Sequence, residues 1–364
     1  MAKLTDFRPG DPAIGFKQKA SNTPLFTFDT AAGRHLLLCL FGSSKDDHAK
    51  AALAAVGKRT DLFDDARCSF FGVSMDPADE AGAVRQRIPG YRYFWDQDGT
   101  VGRAYRALPT KAGAGLGQLQ RGWVLIDPTF RIVRAEPFRP DGSDIERMIA
   151  AVEYHCEPAQ LGKVTYPAPV LVLPRVFEPE FCQVLLDYYK NGAMAESGFM
   201  VERDGQTVLK TNKGHKVRRD TEIDDQRLRE AARIRIQRTL IPQIAKAYQF
   251  NATRVERYLV GCYTAEEGGH FNAHRDNTTK GTAHRKFAIT IPLNEDYEGG
   301  YLRFPEFGPG RYKPPMGGAV VFSCSLLHMV EPVTKGERYV FVPFLYDDAA
   351  AKLRDRNRKF LKAG

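Results

Sequence analysis

Two of the eight histidines in this 364-residue chain stand where metal chemistry could be done. In Gly269-His-Phe-Asn-Ala-His274-Arg275-Asp276-Asn277, an imidazole and a carboxylate are separated by one residue. On a strand, residues so spaced point to the same side. They supply two corners of a facial triad, in which two His and one carboxylate hold non-haem Fe(II) and leave coordination positions open. The third ligand must come from elsewhere in the fold. His328, in Ser325-Leu-Leu-His328-Met-Val-Glu-Pro, follows after several strand-and-turn units. Arg338 comes next, in Gly336-Glu-Arg-Tyr-Val-Phe, and its planar guanidinium suits a carboxylate-bearing cosubstrate. His-x-Asp alone is a weak signal, because such triplets arise by chance. Its weight here comes from the strand-rich setting, the second His behind the Gly-rich Met316 to Ser323, and the following Arg.

The elements that must position these residues divide the chain. Residues 1–157 alternate strand-like and helix-like patterns. His35 to Phe41, Cys68 to Ser74 and Gly122 to Asp127 are apolar runs of the kind covered on both faces. Ala49 to Val56, Asp79 to Arg87 and Asp144 to His155 read as helices, and Ile132 to Glu136 as a strand. This is an α/β layered pattern. Residues 156–168, with Pro158, Gly162 and Pro167, read as a linker. Beyond it come a strand at Val170 to Phe177 and a helix at Glu178 to Lys190. A long helical region, Asp224 to Tyr248, is kinked or split at Pro242. From Val255 onward the pattern is strands and turns: Val255 to Tyr263, Phe287 to Leu293, Tyr301 to Phe304, Ala319 to Phe322 and Arg338 to Tyr346. Helices followed by such strands predict a β-sandwich or jelly roll with helices outside it.

The stretch from Tyr258 to Tyr346 resembles the catalytic domain of the prolyl 4-hydroxylase-like branch of Fe(II)/2-oxoglutarate dioxygenases. The matching pieces are Cys262-Tyr263, His274-Arg-Asp276-Asn277, Ile291 to Gly300, Pro315 to Phe322, and His328 to Tyr339. The resemblance covers roughly the last 180 residues, Val170 to Lys190 included. It implies an α+β double-stranded β-helix (jelly-roll) domain over 168–350, followed by a basic tail, 351–364. It implies Fe(II) on His274, Asp276 and His328, with 2-oxoglutarate held by Arg338 and Tyr263. It further implies dioxygen as co-reactant and ascorbate as the candidate reductant. The expected reaction is decarboxylation of 2-oxoglutarate coupled to C–H hydroxylation, with a prolyl residue in a peptide or protein as the candidate target. Hydroxylation of a small metabolite is the alternative. In a different class stands a redox or scaffold protein with a vestigial oxygenase half. His270, Asn277, Arg218 and Arg219 are candidate substrate contacts, and His284 and Arg285 either line the same pocket or cap a strand. The basic segment Lys210 to Arg219 reads as a loop able to select substrate.

Residues 1–157 resemble an α/β thioredoxin-fold peroxiredoxin. The carrying residues are Phe7-Arg-Pro-Gly-Asp-Pro12-Ala, Phe71 to Asp76, Trp95 to Gly99, Ala104-Tyr105 and Gly122 to Asp127. That family needs a peroxidatic cysteine after the first long strand. Here the region reads Phe41-Gly-Ser-Ser-Lys-Asp-Asp-His-Ala-Lys-Ala, without one. Serine cannot replace a thiolate that must become a sulfenic acid. Cys39 lies within the strand, where burial should raise its pKa. The expectation is a domain without peroxidase activity, used for packing, docking or homodimerisation. The six cysteines form no CxxC and fit no zinc template, and read as buried thiols. The net charge of +9 is uneven: residues 1–157 hold 21 Lys+Arg against 20 Asp+Glu, the remainder 32 against 24. That bias favours an acidic partner or substrate, although the Arg227 to Arg238 and Arg354 to Lys362 charges read as solvated helix and tail faces; nucleic acid is not the expected partner. No secretory signal or membrane span is visible, so the expected location is cytoplasmic.

Overall fold

His35-Leu-Leu-Leu-Cys-Leu-Phe-Gly42 forms a strand with every residue buried, because both of its faces are covered by other elements. It is part of a computed structural model that describes residues 3–110, 115–157 and 167–361. Those residues divide into two compact units: Met1–Pro167 with Pro305–Gly308, and Ala168–Phe304 with Pro309–Gly364.

The first unit is built on β1 (Lys17–Ala20), β2 (Thr23–Thr27), β3 (His35–Gly42), α1 (Asp47–Gly57), β4 (Cys68–Ser74), β5 (Tyr91–Trp95), α2 (Thr100–Ala104), β6 (Gly122–Ile126), β7 (Ile132–Pro137) and α3 (Ser143–Cys156). The strands make one sheet in the order β2-β1-β5-β4-β3-β6-β7. β3, β4 and β5 run parallel, and the outer pairs antiparallel. α3 buries Met148, Val152 and Cys156, four residues apart on one face. This is the thioredoxin-like α/β fold. One expected helix, Asp79 to Arg87, shrinks to a single wide turn, Asp79–Ala83. Gly82 takes φ 123°, a conformation a helix cannot contain, and Val84 is extended. The Asp79 carboxylate is occupied instead by the hydroxyls of Ser44 and Ser74.

The second unit begins with β8 (Leu171–Leu173) and α4 (Pro179–Asn191). β8 is shorter than its apolar run because Pro174 has no N–H to donate. Then come β9 (Ala195–Glu196), β10 (Phe199–Arg203), β11 (Gln206–Lys210), β12 (Lys216–Val217) and β13 (Arg219–Glu222). α5 (Gln226–Arg235) and α6 (Ile241–Tyr248) are joined by a π-helical turn, Ile236–Leu240. The break therefore precedes Pro242, which sits in the first turn of α6, where its missing N–H costs nothing. The remaining strands are β14 (Arg254–Glu256), β15 (Leu259–Thr264), β16 (His270–His274), β17 (Phe287–Pro292), β18 (Glu298–Gly299), β19 (Leu302–Arg303), β20 (Arg311–Tyr312), β21 (Ala319–Ser323), β22 (His328–Val330), β23 (Val333–Lys335), β24 (Glu337–Phe341) and β25 (Phe344–Tyr346), before α7 (Asp348–Asn357).

The larger sheet runs β14-β25-β17-β24-β15-β13-β9, with β21 and β8 joined through β17, and the smaller runs β12-β16-β22-β19-β20. This is the double-stranded β-helix. α4 to α6 pack on the larger sheet through Leu185, Tyr189, Ile236 and Ile244, against Val260, Ile291 and Phe341.

Two expectations change here. Lys210 to Arg219 is not a single solvated loop: it closes β11, forms β12 and starts β13, and it buries Lys216 and Arg218. The basic tail is helical through α7 and a further turn, Arg358–Phe360; residues 362–364 lie outside the described residues. So do 158–166 of the linker. No helix among the described residues is long and apolar enough to cross a membrane. All six cysteines are free and buried.

Candidate metal centre and cosubstrate pocket

β16 and β22 run antiparallel, with Phe271 opposite Val330 and His274 opposite His328. Three steps along β16 match two along β22, so a bulge lies between Phe271 and His274. Without it these two rings would point to opposite faces. With it they share a face and stack, centroids 3.5 Å apart. His328, opposite His274, points the same way, with ring centroids 4.2 Å apart.

Each imidazole is turned by a main-chain carbonyl two residues earlier. His274 Nδ1 donates to Asn272 O at 2.7 Å, and His328 Nδ1 to Leu326 O at 3.0 Å. The Nε2 lone pairs are thereby left free. They face Asp276: His274 Nε2 lies 3.5 Å from Oδ1, and His328 Nε2 3.3 Å from Oδ2. Three donors about 2.1 Å from one metal ion on an octahedral face lie about 3 Å apart. The trio fits Fe(II) in ligand type, spacing and tautomer, and it is the only group of this kind among the described residues. Burial, with His328 beside it, pushes the His274 pKa down to about 4, so the ring is a neutral ligand at pH 7. Burial would raise Asp276, but His328 and His274 outweigh it and hold the carboxylate well below its usual range.

The ligand segment is tied down from one side. Asp276 N donates to Cys324 O at 2.9 Å. Asn277 Nδ2 donates to Ser325 Oγ at 2.8 Å, and Arg275 reaches Ser325 O. Asn277, a candidate substrate contact, is thus engaged in holding the two ligand-bearing segments together. His270 lies one residue before Phe271, on the other side of β16, and its Nδ1 bonds Gly268 O at 2.7 Å. The structure does not bring it to the metal face. His284 and Arg285 both pair with Glu256, at 2.6 Å and 2.7 Å, as a buried structural cluster.

On the larger sheet, Tyr263 and Arg338 are directly opposite in the β15–β24 pairing. Arg338 Cζ lies 5.2 Å from the Tyr263 ring centroid. Arg338 is 4% exposed, and its Nη2 donates to Thr290 Oγ1 at 3.2 Å. No carboxylate among the described residues lies within ion-pair distance of it. A buried, uncompensated guanidinium is a site for an anion. Gly300, at φ 62°, keeps the way clear: a Cβ there would come within 2.8 Å of Arg338 Cδ.

Arg218 and Arg219 part company. Arg219 is exposed and pairs with Glu267. Arg218 is buried, bonded to Asp220 at 2.6 Å and 2.8 Å, with Nη1 3.4 Å from the Tyr263 hydroxyl. A cleft of about 280 Å³ is lined by Lys213, Arg218 and Arg219 and by Glu196 and Glu267, so most of the basic excess is offset there. Sequence reasoning missed Lys216, Phe271 and Thr290. Only the Lys-Val-Arg alternation at 216–218 hinted at a strand.

In the first unit, burial pushes the Cys39 thiol well up, with Asp144 adding to it. Ser43 Oγ donates to Asp76 Oδ2 at 2.7 Å and Ser44 Oγ to Asp79, so each hydroxyl is held by a carboxylate and neither by an imidazole. Cys156 is drawn down to about 6 by hydrogen bonding with Cys68, and by His35, but it is 1% exposed.

Residues 257–346 match the family model described as the 2OG-Fe(II) oxygenase superfamily. The second unit is similar to that superfamily. Residues 9–135 match the AhpC/TSA family, to which the first unit is similar. Among curated relatives, a PKHD-type hydroxylase of Pseudomonas fluorescens is 42% identical over 90 residues, 22% of this chain and 39% of the relative. One from Synechococcus is 28% identical over 130 residues, 34% of this chain and 55% of the relative. The chain spans about half the length of the curated relatives it matches. Among solved structures, Xanthomonas campestris peroxiredoxin Q is 18% identical, with TM-score 0.32, covering 39% of this chain and 92% of its own.

Proposed function

We propose that the second unit is an Fe(II)- and 2-oxoglutarate-dependent hydroxylase. The observation that carries this reading is the pair of Nε2 atoms turned onto Asp276 within 3.5 Å. His274, Asp276 and His328 would hold the iron, and Arg338, oriented by Thr290, would take the distal carboxylate of 2-oxoglutarate beside Tyr263. Iron, 2-oxoglutarate and dioxygen together supply the oxidising power: one oxygen atom goes to succinate, released with CO2, and the other into a C–H bond of the substrate. The chain's part is to leave one face of the metal open and to keep the cosubstrate carboxylate dry against Tyr263 and Arg338. The substrate is read as a peptide or protein, a prolyl residue being the candidate, or as a small metabolite; ascorbate is the reductant to supply in the assay. The six unpaired, buried cysteines support a cytoplasmic location. The first unit is read as a non-peroxidase module for packing, docking or dimerisation.

The test is succinate release by the full chain with Fe(II) and 2-oxoglutarate. Arg338→Ala should raise the KM for 2-oxoglutarate about tenfold to a hundredfold, the worth of a charge-assisted contact. An unchanged KM would remove Arg338 from the cosubstrate site. Peroxide consumption with a thiol reductant should stay at the no-protein rate, and turnover there would overturn the reading of the first unit.

A further inference from the structure

Lys216 is directly opposite Phe271 in the β12–β16 pairing. Cross-strand partners point to the same side, so its side chain rises on the face that carries His274 and His328. It is 3% exposed. Its Nζ donates to Gly198 O at 2.8 Å and lies 4.6 Å from the centroid of Phe271, the ring that stacks on His274. An ammonium has three N–H donors. One carbonyl and one ring face do not exhaust them, and among the described residues no carboxylate is within ion-pair distance. The neighbouring Asp220 is taken up by Arg218, Arg257 and Ser197.

Formal charge sharpens the point. Fe(II) brings two positive charges, Asp276 one negative, 2-oxoglutarate two negative and Arg338 one positive, and these cancel. The ammonium of Lys216 is left over. A buried cation without a counter-ion is costly: burial pushes the Lys216 pKa well down, and the ammonium persists where a ligand brings the opposite sign.

We propose that Lys216 binds a carboxylate of the molecule being oxidised, so that the substrate is an acid whose anionic group lies on the Phe271 side of the metal. This rests on the hydroxylase reading above and adds the substrate's chemical class to it. The carboxylate is either that of a small free acid or that of an Asp or Glu side chain in a peptide.

Calorimetry on the full chain decides it, loaded with Fe(II) and 2-oxoglutarate under anaerobic conditions. The probes are N-acetyl amino acids, their N-methylamides, and matched tripeptides with Asp or Asn at the centre. At least one acid should bind about tenfold tighter than its neutral counterpart. Lys216→Met should erase that preference and leave 2-oxoglutarate affinity within about twofold, while Lys216→Arg should keep the preference. A preference confined to the free acids assigns a small molecule; one confined to the Asp peptides assigns an acidic segment. Acids and neutral counterparts binding alike, or no acid binding, overturns the proposal. So does a Lys216→Met chain that loses 2-oxoglutarate instead. If Lys216→Met does not fold, the wild-type acid preference and its survival in Lys216→Arg decide. Failure of the wild type to bind 2-oxoglutarate is a separate result, and it removes the hydroxylase reading itself.

Discussion

His274→Ala should lower Fe(II)-dependent succinate release by about a thousandfold or more. Several kcal/mol of metal-borne stabilisation vanish with the ion, and two ligands do not define a facial site. The loss should appear first as metal content: the purified variant should retain far less iron than wild type at equal loading. Folding should persist, because the ring's contacts are confined to the site itself: the rings of Phe271, His328 and His215, the Asn272 carbonyl and Asp276. Equal succinate release by the two proteins, with equal iron, would sink the assignment of the triad.

Asp144→Ala should lower the stability of the first unit by about 3–5 kcal/mol, the cost of breaking a buried polar cluster from one side. The carboxylate is fully buried. It accepts from Trp123 Nε1 at 2.8 Å, from Arg139 N at 2.9 Å, and pairs with His48 Nε2 at 3.0 Å. Alanine would strand all three. At about 2–4 °C per kcal/mol for a unit of this size, the first unfolding transition should fall by roughly 10 °C. Burial acts to raise this carboxyl's pKa, but Trp123, Arg139 and His48 together hold it below its ordinary value. Its contribution is therefore present above the ordinary carboxylate pKa and is lost as pH falls through the lowered one. The variant should accordingly be less acid-sensitive than wild type below about pH 4. A melting curve that matches wild type at pH 7 would show that the cluster carries no stability.

Much of the site was legible because period-two geometry is local. His274 and Asp276 declare themselves by spacing, and Arg338 by its place on a strand. What sequence could not give was the parity change in β16. A reader assuming regular alternation places Phe271 on the far side from His274, and so discards the ring that backs the ligand and the lysine across from it. Charge misled in the same region: Lys216 and Arg218 look like solvent-facing residues of a basic loop, yet they are 3% and 6% exposed. The α/β and jelly-roll classes of the two units followed from apolar runs, whereas the strand orders, and strands such as β1 and β2, became visible only in the fold. The lost helix at Asp79 to Arg87 was not legible: Gly82 turns the chain locally at φ 123°, and Ser44, distant in sequence, holds the Asp79 carboxylate through a contact that no local window contains.

The bulge in β16 has a consequence for how this chain can vary. Between Phe271 and His274, the Asn272 side chain bonds Gly214 O at 2.9 Å and its main-chain carbonyl turns the His274 ring. One residue fewer there would leave Phe271 and His274 two apart, the regular spacing, still opposite Val330 and His328, and both rings would keep their face. The same loss between His274 and Asp276 would remove the spacing that brings the carboxylate within 3.5 Å of His274 Nε2. The centre is therefore asymmetric in what it tolerates: an indel on the Phe271 side of His274 can be absorbed by the bulge, while one on the Asp276 side breaks the ligand set and leaves the fold intact.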